Sequence, residues 1–142
     1  MQKSKSFKII IDTNLWISFI ISNKLNILDE LLFENKLRIL FSIELIEEIK
    51  ETIQKPKLKK YFKPNAFDEM FSKFEPFIEL IEVKSKIQIC RDPKDNFLLS
   101  LSKDGNADFL LTGDKDLLDI NPFENTKIIS ISTFIEEIKN FR

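Results

Sequence analysis

Hydrophobic positions along the chain come in short runs that alternate between two spacings. Phe7 to Ile11 is a β-branched, mostly apolar run that stops at Asp12-Thr13-Asn14, the pattern of a buried strand entering a loop. Leu15–Ser22 and Ile27–Asn35 carry helical spacing, and Arg38–Phe41 is a second strand. Ser42 is a good N-cap for a helix over Ile43–Gln54, with Glu44 well placed for the helix dipole. The segment Lys55–Lys60 breaks that helix, and Asn65 can cap another that runs to about Phe74 and ends near Pro76. Leu80–Val83 and Ile87–Cys90 are short strand candidates. Asp92-Pro93 starts a helix over Pro93–Lys103 that stops at Asp104-Gly105. Asp108–Thr112 and Lys127–Ser130 read as strands, and Ser132 as the cap of a last helix reaching about Phe141. Strands alternating with helices predict parallel βαβ units, and hence a three-layer α/β/α sandwich around a mainly parallel sheet.

Composition narrows the chemistry. The 142 residues suit one domain, read as 1–142 with 1–6 as a flexible leader, long enough to bury roughly 68–70% of its unfolded surface. There is no histidine and one cysteine, Cys90. That excludes Ser-His-Asp and Cys-His catalysis, His-liganded metals, cysteine-rich zinc sites and an intramolecular disulfide, and points to a reducing compartment. No apolar run approaches the about 20 residues of a membrane span, and no signal-peptide core follows the basic start. The formal net charge is −1, so global charge does not draw in nucleic acid. If this chain does chemistry, carboxylates carry most of it.

The acids gather where an open parallel sheet places its functional crevice, after the strands. Asp12 follows the first strand. Asp92 and Asp95 follow the Ile87–Cys90 candidate, and Asp114 and Asp116 follow Asp108–Thr112. On the Ile43–Gln54 helix, Leu45, Ile46, Ile49 and Ile53 share an apolar face, and Glu48 lies at its border, where a glutamate can reach a cleft. Clustered carboxylates repel unless a hard cation neutralises them, and Mg²⁺ or Mn²⁺ suits all-oxygen ligands. Each acid also has a plain alternative: Asp92 as an N-cap, Asp95 as part of a capping arrangement, Asp114 as a turn residue, Asp116 as a fifth ligand or a cap. Trp16 and Phe19, at helical spacing, read as core before substrate platform, although Trp16 could serve a dimer interface.

In four places the sequence resembles the PIN-domain ribonucleases, over nearly its whole length. The motifs are Ile-Ile-Asp12-Thr13-Asn14, the helix Ser42-Ile-Glu-Leu-Ile-Glu-Glu48-Ile, Arg91-Asp92-Pro93-Lys94-Asp95-Asn96-Phe97-Leu98 and Leu111-Thr112-Gly113-Asp114-Lys115-Asp116-Leu117-Leu118. Within the family the chain resembles the VapC-like toxin branch of toxin–antitoxin pairs. The resemblance implies a cytoplasmic Mg²⁺-dependent endoribonuclease, with Mn²⁺ as a substitute. Asp12, Glu48, Asp95 and Asp114 would be its metal-binding catalytic acids and Asp116 a further ligand. It also implies an antitoxin partner and a homodimer; the apolar helices Leu15–Ile21 and Phe67–Phe77 are available for the latter. Thr13, Asn14, Asp92 and Thr112 are placed to orient the carboxylates or the substrate phosphate, and Thr13, Asn14 and Thr112 read equally as turn or cap residues. An RNA footprint is expected at Lys57, Lys59, Lys60 and Tyr61, a segment that reads equally as a solvated linker. Other readings are an RNA-processing or DNA nuclease of the same fold, and a non-catalytic metal-binding module. An aspartyl-phosphate enzyme is disfavoured because Asn14 stands where a phosphatase would carry its second acid.

Overall fold

The structure is a computed structural model and describes residues 6–22, 26–33 and 37–139. Five parallel strands form the central sheet: β1 (Phe7–Ile11), β2 (Leu37–Phe41), β3 (Ile78–Leu80), β4 (Phe109–Leu111) and β5 (Lys127–Ile129). Their spatial order is β3-β2-β1-β4-β5, with Ile9 opposite Phe109 and Ile11 opposite Leu111. The helices are α1 (Thr13–Ser22), α2 (Asn26–Phe33), α3 (Ile43–Ile53), α4 (Pro56–Lys59), α5 (Ala66–Phe74), α6 (Asn96–Asp104), α7 (Lys115–Leu118) and α8 (Ile131–Lys139). The expected α/β/α sandwich is therefore present. Residues 1–5, and the last residues of the helices expected to reach Asn35 and Phe141, lie outside the described residues.

Ile9, Ile10 and Ile11 are all fully buried, because a central parallel strand is covered on both faces. Trp16 stacks on Phe41 with centroids 5.4 Å apart and lies near Phe74. Trp16 and Phe19 are thus core residues, and an interface role for Trp16 is ruled out by its complete burial. Among the described residues no helix is long and apolar enough to cross a membrane.

Three local expectations need correction. The third strand is Ile78–Leu80, at the sheet edge, and neither Leu80–Val83 nor Ile87–Cys90 forms a strand. Ile81 N still donates to Phe41 O of β2 at 2.8 Å, and beyond it the chain is bonded to the side chains of a helix. Asp104 accepts from the backbone N–H groups of Lys84 and Ser85, Ser100 Oγ from that of Ile87, and Asn96 Oδ1 from that of Cys90. These acceptors recur every four residues, on one face of α6. The cap of α8 is Ser130, whose Oγ accepts from Thr133 N at 3.2 Å; Ser132 already lies in the first turn. Asn65 occupies the cap position of α5, but its amide donates to Glu69 instead of its oxygen capping the helix.

Other boundaries shift by small amounts. The Lys55–Lys60 break contains the short helix α4, started by Pro56. The helix expected over Pro93–Lys103 opens as a single 3-10 turn, Pro93–Asp95, before α6 begins. Ser42 caps α3 as expected, accepting from Leu45 N at 3.2 Å.

Candidate active site

The strand order places a topological switch between β1 and β4. The chain leaves β1 toward β2 and β3 on one side, then returns to β4 and β5 on the other. At such a point the flanking connections diverge and leave a crevice at the carboxyl edge. Asp12 and Thr112 are the first residues beyond these two strands. Asp12 N donates to Leu111 O at 3.1 Å, so the strand pairing continues one step into the crevice.

Asp12 is buried and held at both oxygens. Leu15 N donates to Oδ1 at 2.8 Å, and Thr112 Oγ1 donates to Oδ2 in a short hydrogen bond. Thr112 Oγ1 in turn accepts from Asp114 N at 3.0 Å, and Asp114 Oδ1 caps α7 by accepting from Asp116 N at 2.9 Å. One threonine hydroxyl thus ties two acids from neighbouring strand ends into fixed relation. On the other side Thr13 Oγ1 donates to Glu48 Oε2 at 3.0 Å, joining α1 to α3.

Asp95 reaches this place from the turn that opens α6, not from a strand end, since the strand expected before it is absent. It does not complete a capping arrangement: it makes no side-chain cap bond, and its buried Oδ2 has no hydrogen-bond partner. The Asp95 carboxyl lies close to that of Asp114, and two ionised carboxylates have no proton to share. Burial and the Asp114 carboxylate push the Asp95 pKa to about 7, with Asp92 and Glu48 adding to the rise. Burial also raises Asp12 against its stabilising hydrogen bonds, and Asp114 adds repulsion. Glu48 is raised mainly by burial, with Asp12 contributing and Lys55 opposing. Four carboxylates from four separate segments therefore sense one another.

The remaining expected residues surround them. Asp92 accepts from Lys94 N at 3.1 Å and caps the 3-10 turn, as an Asp-Pro pair does by itself. Asp116 does not cap α7, a role taken by Asp114; its carboxylate lies 3.5 Å from Arg91 Nε, and Arg91 Nη2 donates to Asp119 at 3.0 Å. Asp119 carries no signal in the sequence, and Arg91, the opening residue of the third motif, has no role assigned by it; the one hint is that Arg91 directly precedes the Asp92-Pro93 turn. Asn14 and Asp114 line an open cavity of about 390 Å³ with Asp12 and Gly113. Lys57 and Lys59 are on α4 and Lys60 and Tyr61 just beyond it, and none of them lines the cavity at Asp12 and Asp114.

The donor set suits a hard divalent cation. All four side chains offer oxygen, and Asp95 Oδ2 is buried with no donor. Among the described residues no three acids are gathered tightly enough to hold a metal ion as they stand.

Comparison with known proteins agrees with the geometry. A family model described as the PIN domain matches residues 8–116. The chain belongs to the PIN domain family. The match includes all four carboxylates and ends at Asp116. The chain is also similar to the uncharacterized protein MJ1680 of Methanocaldococcus jannaschii, with 32% identity over 155 aligned positions that cover 99% of this chain and 97% of the relative. PIN domains are generally nucleases, and they usually use divalent metal ions.

Proposed function

We propose that this PIN domain is a Mg²⁺- or Mn²⁺-dependent endoribonuclease acting as the toxin of a toxin–antitoxin pair in the cytoplasm. The observation that supports it most is that burial, one another's charges and that of Asp114 raise the pKa values of Asp12, Glu48 and Asp95 around the β1/β4 switch point, with an orphaned oxygen on Asp95. These four would hold the cation, with Asp116 as an outer ligand. When bound, the cation supplies Lewis acidity that activates water and offsets charge on the phosphodiester.

The chain's own residues do the rest. Thr112 and Leu15 N fix both oxygens of Asp12, so its free lone pairs keep one direction. Thr13 orients Glu48 in the same way. Asn14, on the cavity wall, offers amide hydrogens to a phosphate oxygen, and Gly113 leaves space there: a Cβ at Gly113 would meet nothing within 4 Å. The lysines on and after α4 neutralise phosphates along the strand. A homodimer and an antitoxin complete the proposed assembly.

The test is cleavage of defined single-stranded RNAs with Mg²⁺, Mn²⁺ or chelator. Asp12→Asn and Asp114→Asn are expected to lose cleavage by at least about a hundredfold with unchanged circular dichroism. Full activity in either variant, or in chelator, overturns the site. Cleavage of DNA in preference to RNA would overturn the ribonuclease assignment, and harmless expression at high level would overturn the toxin role.

A further inference from the structure

A cavity of about 430 Å³, separate from the one lined by Asp12 and Asp114, opens between α1, α5 and the turn at Tyr61–Lys63. Its apolar wall includes Ile20 and Met70, and Tyr61 stands at its mouth with 59% of its surface exposed. Lys60 Nζ lies 5.2 Å from the Tyr61 ring centroid and Lys63 adds a cation to the lining, whereas Lys73, also in the lining, is ion-paired with Asp29 at 3.1 Å. Among the described residues the only acid in the lining is Glu69.

We propose that this cavity is a subsite for one unpaired nucleobase of an RNA strand whose cleaved phosphate lies at the acid cluster, a proposal that rests on the ribonuclease reading above. An exposed aromatic ring beside cations is a stacking platform, because every base has a π-face and every nucleotide a phosphate. The volume is in the range of small-ligand pockets, with an apolar wall and few polar groups. Glu69 offers a carboxylate to an exocyclic amino group, which favours adenine, cytosine or guanine over uracil.

Two routes connect the cavity to the acids. Along α1, Ile20 is eight residues from Asp12, about 12 Å at the helical rise. Along the chain, Lys55 acts on Glu48 through its charge, and from there to the cavity the surface is basic. Between Glu51 and Asp68 the sequence has five lysines and no acid. A strand laid over this track keeps its phosphates on lysines and presents a base to Tyr61. Lys63 in the lining and Lys60 at the Tyr61 ring favour a phosphate-bearing occupant over an apolar protein helix, which would offer them no counter-charge.

The experiment uses the Asp114→Asn protein and a fluorescent single-stranded RNA, compared with a strand of equal length carrying abasic positions. The base-bearing strand should bind about tenfold tighter. Tyr61→Ala should remove that ratio, Tyr61→Phe should keep it, and the salt dependence of binding should not change. Tyr61 is exposed, so neither variant threatens folding. A ratio near one, or one indifferent to Tyr61→Ala, overturns the subsite. So does a Tyr61→Ala effect on oligomeric state alone, which would make the cavity a protein interface. If the unsubstituted chain cuts RNA while the ratio stays flat, only the subsite falls. If the folded chain neither binds nor cuts any RNA, the ribonuclease reading falls with it.

Discussion

The two ends of α6 each carry an aspartate, and their environments are opposite. Asp95 stands at the amino end, where the helix dipole favours negative charge, yet its pKa is raised to about 7. Asp104 stands at the carboxyl end, where the dipole is adverse, yet its pKa is lowered. Neighbours outweigh the dipole in both cases. Asp104 accepts from Lys84 N at 2.6 Å, from Ser85 N at 2.7 Å and from the Ser85 hydroxyl, and those donors hold it ionised. Asp95 has burial, Asp114, Asp92 and Glu48 against it. One end of the helix is satisfied and structural, while the other stores repulsion that a bound cation would relieve.

The largest contrast should come from Asp95→Asn. Cleavage should fall by at least about a hundredfold. Thermal stability of the metal-free protein at pH 8 should instead rise, by about 1 kcal/mol after discounting for solvent screening of this half-buried group, because a charge among like charges is removed. The sign follows from proton uptake. Between about pH 4 and pH 7 the folded protein binds more protons at Asp95 than the unfolded chain, so stability contributed there falls as pH rises. Melting in chelator across that range would check it: unsubstituted protein should lose stability with rising pH, and the variant should lose less.

At the other end Gly105→Ala should destabilise by about 2 kcal/mol, read from denaturant unfolding. An added Cβ would lie 2.7 Å from Leu40 Cδ1 and 3.0 Å from Leu101 O, and Leu40 is fully buried, with no room to give. Gly113→Ala in the open cavity is the matched control, with a change within about 0.5 kcal/mol.

A smaller loss, about 1–2 kcal/mol, is expected for Asp104→Ala, which strips the 84–85 backbone of its acceptor. The Asp104 contribution is present above the ordinary carboxylate pKa and is lost as pH falls through its lowered value. Acid unfolding should therefore begin at higher pH once the intact Asp104 no longer delays it. Equal acid stability of variant and parent would erase the contrast between the two ends.

Much of this was legible locally. The run Phe7–Ile11 is a buried strand because four of its five residues are apolar and three are β-branched. Ser42 announces α3 because its hydroxyl can serve an orphan N–H. Glu48 could be separated from Glu44, Glu47 and Glu51 by its position at the border of the apolar face. Segment 81–90 misled because its alternating exposure has the period of a strand. Its alternation is real, but after Ile81, which still pairs with Phe41 of β2, its hydrogen-bond partners are side chains of α6, which share no sequence signature with a strand. Ser130 and Ser132 are equally good caps on paper, and only the start of α8 distinguishes them.

By itself, the sequence determined the alternation of strands and helices, the reliance on carboxylates in a chain without histidine, and the helix face that carries Glu48. Those are properties of composition and of short-range periodicity. Tertiary structure alone decided the strand order β3-β2-β1-β4-β5, which makes β1 and β4 neighbours. That adjacency lets the Thr112 hydroxyl bond Asp12 across 100 positions of chain, and folding then brings Asp95 against Asp114. Strand pairing and desolvation depend on the completed fold, and no local pattern encodes them.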